Sequence, residues 1–143
     1  MTNTAAQVVA GMLARDEFSR WLGIELVELQ PGRCTLRMRV RQDMLNGFGV
    51  AHGGIAFSLA DSAMAFACNS GSNVTVAVDN AISYPAPIHV GDELVAVAEQ
   101  ETASRRLAYY RVTVRRQDGE TVALFRGTVY QTRQQHVFTS DKA

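Results

Sequence analysis

Residues 52–69 constrain the fold more than any other part of the chain. This segment contains five alanines, few β-branched residues and one charged side chain, Asp61. Alanine-rich, unbranched sequence favours an α-helix, and a helix that is apolar nearly all round must be buried. A chain of 143 residues has room for one domain with a core of ordinary size. We therefore expect a single domain, 1–143, built around this helix.

The flanking segments predict one further helix and six strands. Apolar residues at helical spacing predict an amphipathic helix over 5–20. Alternating or apolar runs bounded by turn residues predict strands over 23–29, 34–41, 74–84, 94–98, 107–116 and 121–133. Residues 42–51 are expected to form a loop, and the aperiodic segment 134–143 a loose tail. This order predicts an α+β fold in which an antiparallel sheet wraps around one central helix.

Composition narrows the classes of partner. Fourteen Lys and Arg balance fourteen Asp and Glu, so the chain lacks the basic surplus of a nucleic-acid binder or a polybasic membrane anchor. Two cysteines, Cys34 and Cys68, form neither a disulfide framework nor a four-ligand zinc site, and we expect no metal. No apolar run is long enough to span a membrane, and the first residues do not resemble a signal peptide. We expect a cytoplasmic protein.

Asp61 is the first candidate for chemistry. With histidine counted as neutral, it is the only charged side chain between Asp43 and Asp79, and burying an unpartnered carboxylate is costly. A carboxylate in partly apolar surroundings can act as a general base or a nucleophile. The competing interpretation is a carboxylate that caps another element or lies at a wet interface.

The helix start, His52-Gly53-Gly54, is the second candidate. A helix N-terminus offers free N–H groups at its positive dipole end, and glycine lets a substrate carbonyl approach them as in an oxyanion site. Tight packing of the helix on the sheet would also explain the glycines. Gly53 and Asp61 lie about 12 Å apart along one helix, whereas attack on a carbonyl needs contact at about 3 Å. Two antiparallel helices in a two-fold dimer could bring Gly53 of one chain to Asp61 of the other.

Three further features of the sequence, an asparagine, a group of arginines and a phenylalanine, each have two interpretations. The Asn46 amide could orient a water or the carboxylate, although Asn46-Gly47 is also a turn-forming pair. Thirteen of the fourteen basic residues are arginines, and residues 105–116 hold five of them without an acid. Such a segment suits a nucleotide phosphate, or equally a solvated strand face. Phe57 could line an aromatic pocket or pack in the core.

The combination of these motifs resembles the hot-dog-fold acyl-CoA thioesterases. The residues and segments that carry the resemblance are Asn46, His52-Gly53-Gly54, Asp61, 82–87, 91–92 and 122–127. The match is to the PaaI-type thioesterases of phenylacetate degradation and extends over about residues 15–130. The resemblance implies a long central helix in a curved antiparallel sheet. It also implies a homodimer that pairs into a homotetramer, with active sites at the dimer interface.

The resemblance further implies hydrolysis of an aryl-acetyl-CoA, such as phenylacetyl- or hydroxyphenylacetyl-CoA, to the free acid and CoA, without any cofactor beyond the CoA of the substrate. It assigns Asp61 of the opposite subunit as the nucleophile or the base, and the Gly53 N–H as the group that polarises the carbonyl. It also implies that Asn46 positions the carbonyl or a water and that His52 supports the site. Contacts to substrate or CoA are expected from Gly54, Phe57, Ser83, Tyr84, Arg105 and Arg106.

One departure from the family pattern affects the mechanism. Some relatives carry Ser or Thr near the carboxylate to hold the attacking water, and the matching positions here are Ala65 or Ala77. Direct attack by Asp61 and attack by water therefore both stay open. Two other functions also remain: a hot-dog dehydratase using His52 and Asp61 as acid and base, and a non-catalytic acyl-CoA-binding protein.

Overall fold

The structure, a computed structural model, describes residues 4–71 and 73–137. Its helices are α1 (Ala5–Arg15), α2 (Glu17–Leu22) and α3 (Gly53–Cys68), with one turn of 3₁₀ helix at Gln42–Met44. Its strands are β1 (Glu25–Gln30), β2 (Arg33–Arg39), β3 (Asn73–Ser83), β4 (Glu93–Ala103), β5 (Leu107–Arg115) and β6 (Thr121–Gln135).

The described strands form one antiparallel sheet in the order β1-β2-β4-β5-β6-β3. The sheet wraps around α3, which contacts β2, β4, β5, β6 and β3. The predicted α+β architecture, an antiparallel sheet around one central helix, is therefore confirmed. None of the helices in the described ranges is both long and apolar enough to cross a membrane.

The central helix matches the prediction to within one residue at each end. Leu59, Ala60, Ala63 and Met64 are fully buried in α3, as expected for a helix without a polar face. The predicted alternation in β2 is also confirmed, because Leu36 and Met38 are buried whereas Arg37 and Arg39 are exposed. The core therefore lies between α3 and the concave face of the sheet.

The N-terminal segment differs from the single helix predicted over 5–20. Asp16 interrupts it and caps α2 by accepting hydrogen bonds from the backbone N (2.9 Å) and Oγ (2.6 Å) of Ser19. Aspartate side chains favour caps over helix interiors because they compete for backbone donors. The buried Ser19 Oγ also lies 2.9 Å from Ser62 Oγ, which fixes α2 against α3.

The predicted tail also differs from the structure where it can be compared. Strand β6 continues to Gln135, so the first residues of segment 134–143 extend the sheet. Residues 138–143 lie outside the described residues.

A β-bulge in β3 determines which of its side chains face the helix. Ala77 pairs with the buried Val129 and Asp79 with Thr128, so Val78 is the extra residue. Directly paired residues share a face of the sheet. Ala77 and Asn80, which pairs with the buried Gly127, therefore both face α3. Without the bulge, their odd spacing would put them on opposite faces.

Candidate active site

The first turn of α3 leaves one backbone donor open. The Gly54 N–H donates to His52 Nδ1 at 2.9 Å, and the Ile55 N–H donates to the His52 carbonyl at 2.9 Å. Within the described part of the chain, the Gly53 N–H has no such acceptor. The site predicted at the helix start therefore has its free donor at Gly53, where the helix dipole is positive.

His52 acts as the N-cap of α3. Because its Nδ1 accepts from Gly54, the ring proton of neutral His52 lies on Nε2. The His52 backbone N–H in turn donates to the Met44 carbonyl at 2.9 Å, which fixes the loop before the helix. This contact gives His52 a supporting function at the helix start.

Close contacts explain both glycines. The Tyr84 hydroxyl donates to the Gly53 carbonyl at 2.8 Å, and burial raises the pKa of that hydroxyl, so it remains protonated. A Cβ atom on Gly53 would lie 3.1 Å from Tyr84 Oη, and one on Gly54 would lie 3.1 Å from His52 Nδ1. The first turn is thus packed between two polar side chains with little room for a methyl group.

Asn46 organises the loop before the helix. Its Oδ1 accepts from the Phe48 N–H at 2.8 Å and the Val50 N–H at 3.4 Å, while Leu45 and Ala51 form a β-bridge across the loop. The turn-forming role considered for Asn46 is therefore present. Because Oδ1 is engaged, Nδ2 is the part of the amide that is available to a ligand.

Asp61 lies half-buried in the middle of α3. The Asn80 Nδ2 group donates to Asp61 Oδ1 at 3.4 Å. Burial raises the pKa of the Asp61 carboxyl above its ordinary value, the Asn80 hydrogen bond lowers it, and the negative charge of Asp16 raises it. The carboxyl therefore takes up a proton more readily than an exposed aspartate, as a general base requires.

Two cavities flank the start of α3, and His52 lines both. One has a volume of about 350 Å³ and is lined by Val50, Ala51, His52, Gly53, Ala56 and the segment 84–88. The other has about 330 Å³ and lies between α2, the 3₁₀ turn and α3; Phe18, Trp21, Met44 and Ile55 are among its lining residues. A ligand carbonyl at Gly53 would have space on either side.

Other predicted site residues lie elsewhere in the protomer. Phe57 packs edge-to-face on Phe125, with ring centroids 5.5 Å apart, in the core position considered for it. Ser83 is exposed at the end of β3. Arg105 and Arg106 are in the β4–β5 turn, and Arg106 lines a small cavity with Cys68, at the end of α3 opposite Gly53.

The Arg-rich segment is less free than its sequence suggests. Arg111 pairs with Glu99 at 3.4 Å, and Arg116 pairs with Asp118 at 2.9 Å. These acids come from outside the segment, so the absence of acids within it did not predict unpaired arginines.

Asn80 is the residue that sequence reasoning missed. The only available signal was an asparagine inside a strand-like segment, where it is disfavoured. Its position beside Asp61 depends on the β3 bulge, which the sequence does not reveal. In the part of the chain that the structure describes, no group of three or more His, Cys, Asp or Glu side chains could hold a metal ion.

Comparisons with known proteins identify the family. The thioesterase superfamily model matches residues 48–123, just over half of the chain. Acyl-coenzyme A thioesterase PaaI of Escherichia coli (strain K12) is 37% identical over 127 residues, which cover 89% of this chain and 91% of PaaI.

Solved structures show the same relationship. The structure of E. coli PaaI, from the phenylacetic acid degradation operon, has a TM-score of 0.89 at 35% identity and covers 92% of this chain and 95% of PaaI. The smu.793 protein of Streptococcus mutans UA159, solved with acetyl CoA bound, has a TM-score of 0.76 at 26% identity, covering 79% of this chain and 91% of that one. The chain therefore belongs to the thioesterase superfamily, as a PaaI-type hot-dog protein whose activity is the hydrolysis of acyl-CoA thioesters.

Proposed function

We propose that the protein hydrolyses aryl-acetyl-CoA thioesters at sites that combine Gly53 of one subunit with Asp61 of its partner. The observation that carries this proposal is that the open Gly53 N–H and the Asp61 carboxylate lie on one rigid helix, about 12 Å apart. A carbonyl oxygen bound at Gly53 would leave its carbon out of reach of Asp61 in the same chain, since attack needs about 3 Å. A second α3 running antiparallel would supply the carboxylate.

The exposed edge of the sheet supports a dimer of this kind. Strand β3 ends the sheet, and its residues Val76 and Val78 are 45% and 58% exposed. A long apolar edge favours pairing with another strand. Two-fold pairing of β3 with its copy would keep both α3 helices on one face and antiparallel. Two such dimers would pair into the homotetramer that the family resemblance implies.

Two routes to the product remain part of the proposal. In the first, Asp61 takes a proton from water, the hydroxide adds to the thioester carbon, and the C–S bond breaks as the CoA thiolate leaves and takes up the proton. In the second, an Asp61 oxygen adds to the thioester carbon and the C–S bond breaks as the CoA thiolate leaves. Water then attacks the Asp61 carbon of the resulting anhydride, which releases the free acid with the bridging oxygen and supplies the proton that the thiolate takes up. In both routes, we assign the stabilisation of the oxyanion to the Gly53 N–H and the Asn46 Nδ2 group. ¹⁸O placed in the Asp61 carboxyl distinguishes them, because a single turnover transfers it to the acid only in the second route.

The same helix arrangement suggests where CoA is held. In this arrangement the partner subunit's Asp61 lies beside Gly53. The C-terminal end of the partner's α3, at the partner's Cys68, would then lie about 10 Å past Gly53 along the helix axis. Arg106 lines a cavity with Cys68 at that end of the helix, and Arg105 precedes it in the β4–β5 turn. Arginine suits phosphate. We assign the CoA phosphates to the partner subunit's Arg105 and Arg106.

The aryl group is proposed from two observations. PaaI, the relative at 37% identity, is described as part of a phenylacetic acid degradation operon. In this chain, the rings of Phe18 and Trp21 stack with centroids 6.1 Å apart beside the cavity between α2 and α3. Aromatic lining favours a flat aryl ring over a flexible alkyl chain.

The role of the Gly53 N–H is tested by comparing Gly53→Pro with Gly53→Ala. Proline is tolerated at the first position of a helix and removes only the N–H group, and the extended His52 backbone suits a following proline. Both variants place a Cβ atom beside Tyr84, so their difference reports the replacement of the N–H group by the proline ring carbon. We expect kcat for Gly53→Pro to be about 100-fold or more below that of Gly53→Ala. Equal rates would exclude Gly53 as the oxyanion donor.

Mixed dimers test the composite site. Gly53→Pro and Asp61→Ala subunits are each expected to be inactive alone. If each site uses both chains, a heterodimer carries one intact site, and random mixing restores about a quarter of wild-type activity. No restoration after verified subunit exchange would contradict a shared site.

A thiol-release assay tests the substrate assignment. Phenylacetyl- and hydroxyphenylacetyl-CoA are compared with short- and long-chain acyl-CoAs, with Asp61→Ala as the control. We expect the highest kcat/KM for the aryl-acetyl substrates. A preference for alkyl chains would overturn the aryl assignment while leaving the thioesterase activity in place.

A further inference from the structure

We infer that Asn80 is a positioning residue for Asp61, whose amide holds one carboxylate oxygen so that the other is presented to the reaction. This inference rests on the role proposed for Asp61. Asn80 Nδ2 donates to Asp61 Oδ1 at 3.4 Å, which leaves Oδ2 to face the substrate or a water. A fixed carboxylate removes rotational freedom that would otherwise be lost in the transition state.

The strand is shaped to deliver this amide. The bulge at Val78 puts both Ala77 and Asn80 on the face of β3 that is turned toward α3. Bulges occur next to active sites, where they redirect a side chain. Ala77 offers no polar side chain on this face, so the polar group that β3 presents to Asp61 is the Asn80 amide.

The environment of Asn80 also argues against a purely structural role. Its Oδ1 is buried and has no hydrogen-bond partner among the described residues, and an unsatisfied acceptor lowers stability. A small apolar residue would fill this position at lower cost. The amide oxygen lies close to the Gly127 backbone, where a Cβ atom would overlap Met64 Sδ and lie 2.8 Å from Asn80 Oδ1.

The groups around Asp61 have opposing effects on its pKa, so the effect of the Asn80 contact can be measured by titration. Asp16, from the junction of α1 and α2, is the acidic neighbour that disfavours ionisation of Asp61. Cys68, further along α3, stays neutral because burial raises the pKa of its thiol to about 12. Asn80 is the group that favours the carboxylate form, so its removal should raise the pH at which Asp61 loses its proton.

The experiment compares Asn80→Ala with Asn73→Ala on the same strand. Asn73 Nδ2 donates to the Thr132 carbonyl at 2.8 Å, at the far end of β3 from Asn80. We expect Asn80→Ala to lower kcat by about 3- to 10-fold at unchanged KM. The acid limb of the pH profile of kcat for Asn80→Ala should move to higher pH by about half to one unit. The melting temperature of this variant should not fall. Asn73→Ala should lower the melting temperature and leave the acid limb in place.

A second measurement does not depend on turnover. Titration of the ¹³C-labelled Asp61 carboxyl by NMR should show the same upward shift in Asn80→Ala, with Asn80→Ser as the replacement if the alanine variant does not fold. An unmoved Asp61 titration, or a fall in kcat that follows a fall in melting temperature, would overturn the inference. Full activity in Asp61→Ala would instead contradict the proposed function, whatever the Asn80 variants show.

Discussion

The Asp61 carboxylate lies on a helix whose buried residues are apolar or small. Its folded-state pKa is raised by burial above the ordinary value of 3.8, against the opposing hydrogen bond from Asn80. The folded state therefore holds the Asp61 proton more tightly than the unfolded state. Stability falls as the pH rises from the unfolded pKa through the folded one, and the cost is fully present at neutral pH.

The variant Asp61→Asn is accordingly expected to be more stable but inactive. At pH 7 its melting temperature should exceed that of the wild type, and the difference should disappear below the unfolded pKa of 3.8, where both side chains are neutral. Turnover should fall by about 100-fold or more because the amide cannot accept a proton. Asp79→Asn, an exposed acid on β3, is the control for simple charge removal. A lower melting temperature for Asp61→Asn at pH 7 would contradict the assigned sign.

The capping role of His52 predicts a different pattern from proton transfer. Asparagine is an effective N-cap, so His52→Asn should retain stability and most activity. His52→Ala should lose about 1 kcal/mol of unfolding free energy and a few-fold in rate, because the first turn is loosened. Thermal unfolding and thiol release measure both effects. Inactivity of a stable His52→Asn would favour the acid–base role expected of a dehydratase.

At the scale of elements, the separation between β6 and α3 depends on Gly127. This residue faces Asn80 in the sheet register, and Met64 of α3 packs directly over it. The missing side chain lets the helix approach the sheet and keeps the Asn80 amide beside Asp61. Packing of helix on sheet and placement of the site thus share one contact.

Gly127→Ala should overpack this contact. We expect a loss of about 1–3 kcal/mol in unfolding free energy, measured by urea denaturation, together with an altered acid limb as Asn80 is displaced. Met64→Ala removes Sδ and Cε, the two atoms that would collide with the new methyl group, so Gly127→Ala should cost much less in that background than in the wild type. Strictly additive costs in the double-mutant cycle would show that the two residues do not interact.

At the scale of the whole molecule, the sheet has two unlike edges. The bulged residue of β1, Val27, is 53% exposed, and that of β3, Val78, is 58% exposed. Of these two edge strands, β3 is the one that carries Asn80, which contacts Asp61 on α3. The proposed dimer therefore uses β3, and the two valines provide a matched pair of surface sites.

Val78→Lys should dissociate the dimer, whereas Val27→Lys should not. Each lysine replaces an exposed side chain at a bulge, so neither is expected to unfold the protomer. We expect Val78→Lys to elute as a monomer and to lose at least about 10-fold in activity, since a composite site needs both chains. Size-exclusion chromatography with light scattering and circular dichroism measure assembly and folding. An active Val78→Lys monomer would refute the shared site.

The sequence alone determined the architecture because the signals for it are local. Alanine content and uniform apolarity defined the buried helix, and alternation with turn residues defined the strands. The helix start at Gly53 and the charge at Asp61 were visible for the same reason. The resemblance to a thioesterase family, carried by motifs between Asn46 and residue 127, was then confirmed by the family match and by the relatives.

The tertiary structure decided which groups meet. Asp16 ended one helix and began another because Ser19, which also contacts Ser62 on α3, donates to its carboxylate. The His52 ring left Gly53 as the open donor because it accepts from the Gly54 N–H. Asn80 reaches Asp61 only because a bulge shifts its register and Gly127 leaves room for it. These contacts join residues far apart in the chain or depend on side-chain orientation. Local periodicity contains no information about either, so only the folded chain could reveal them.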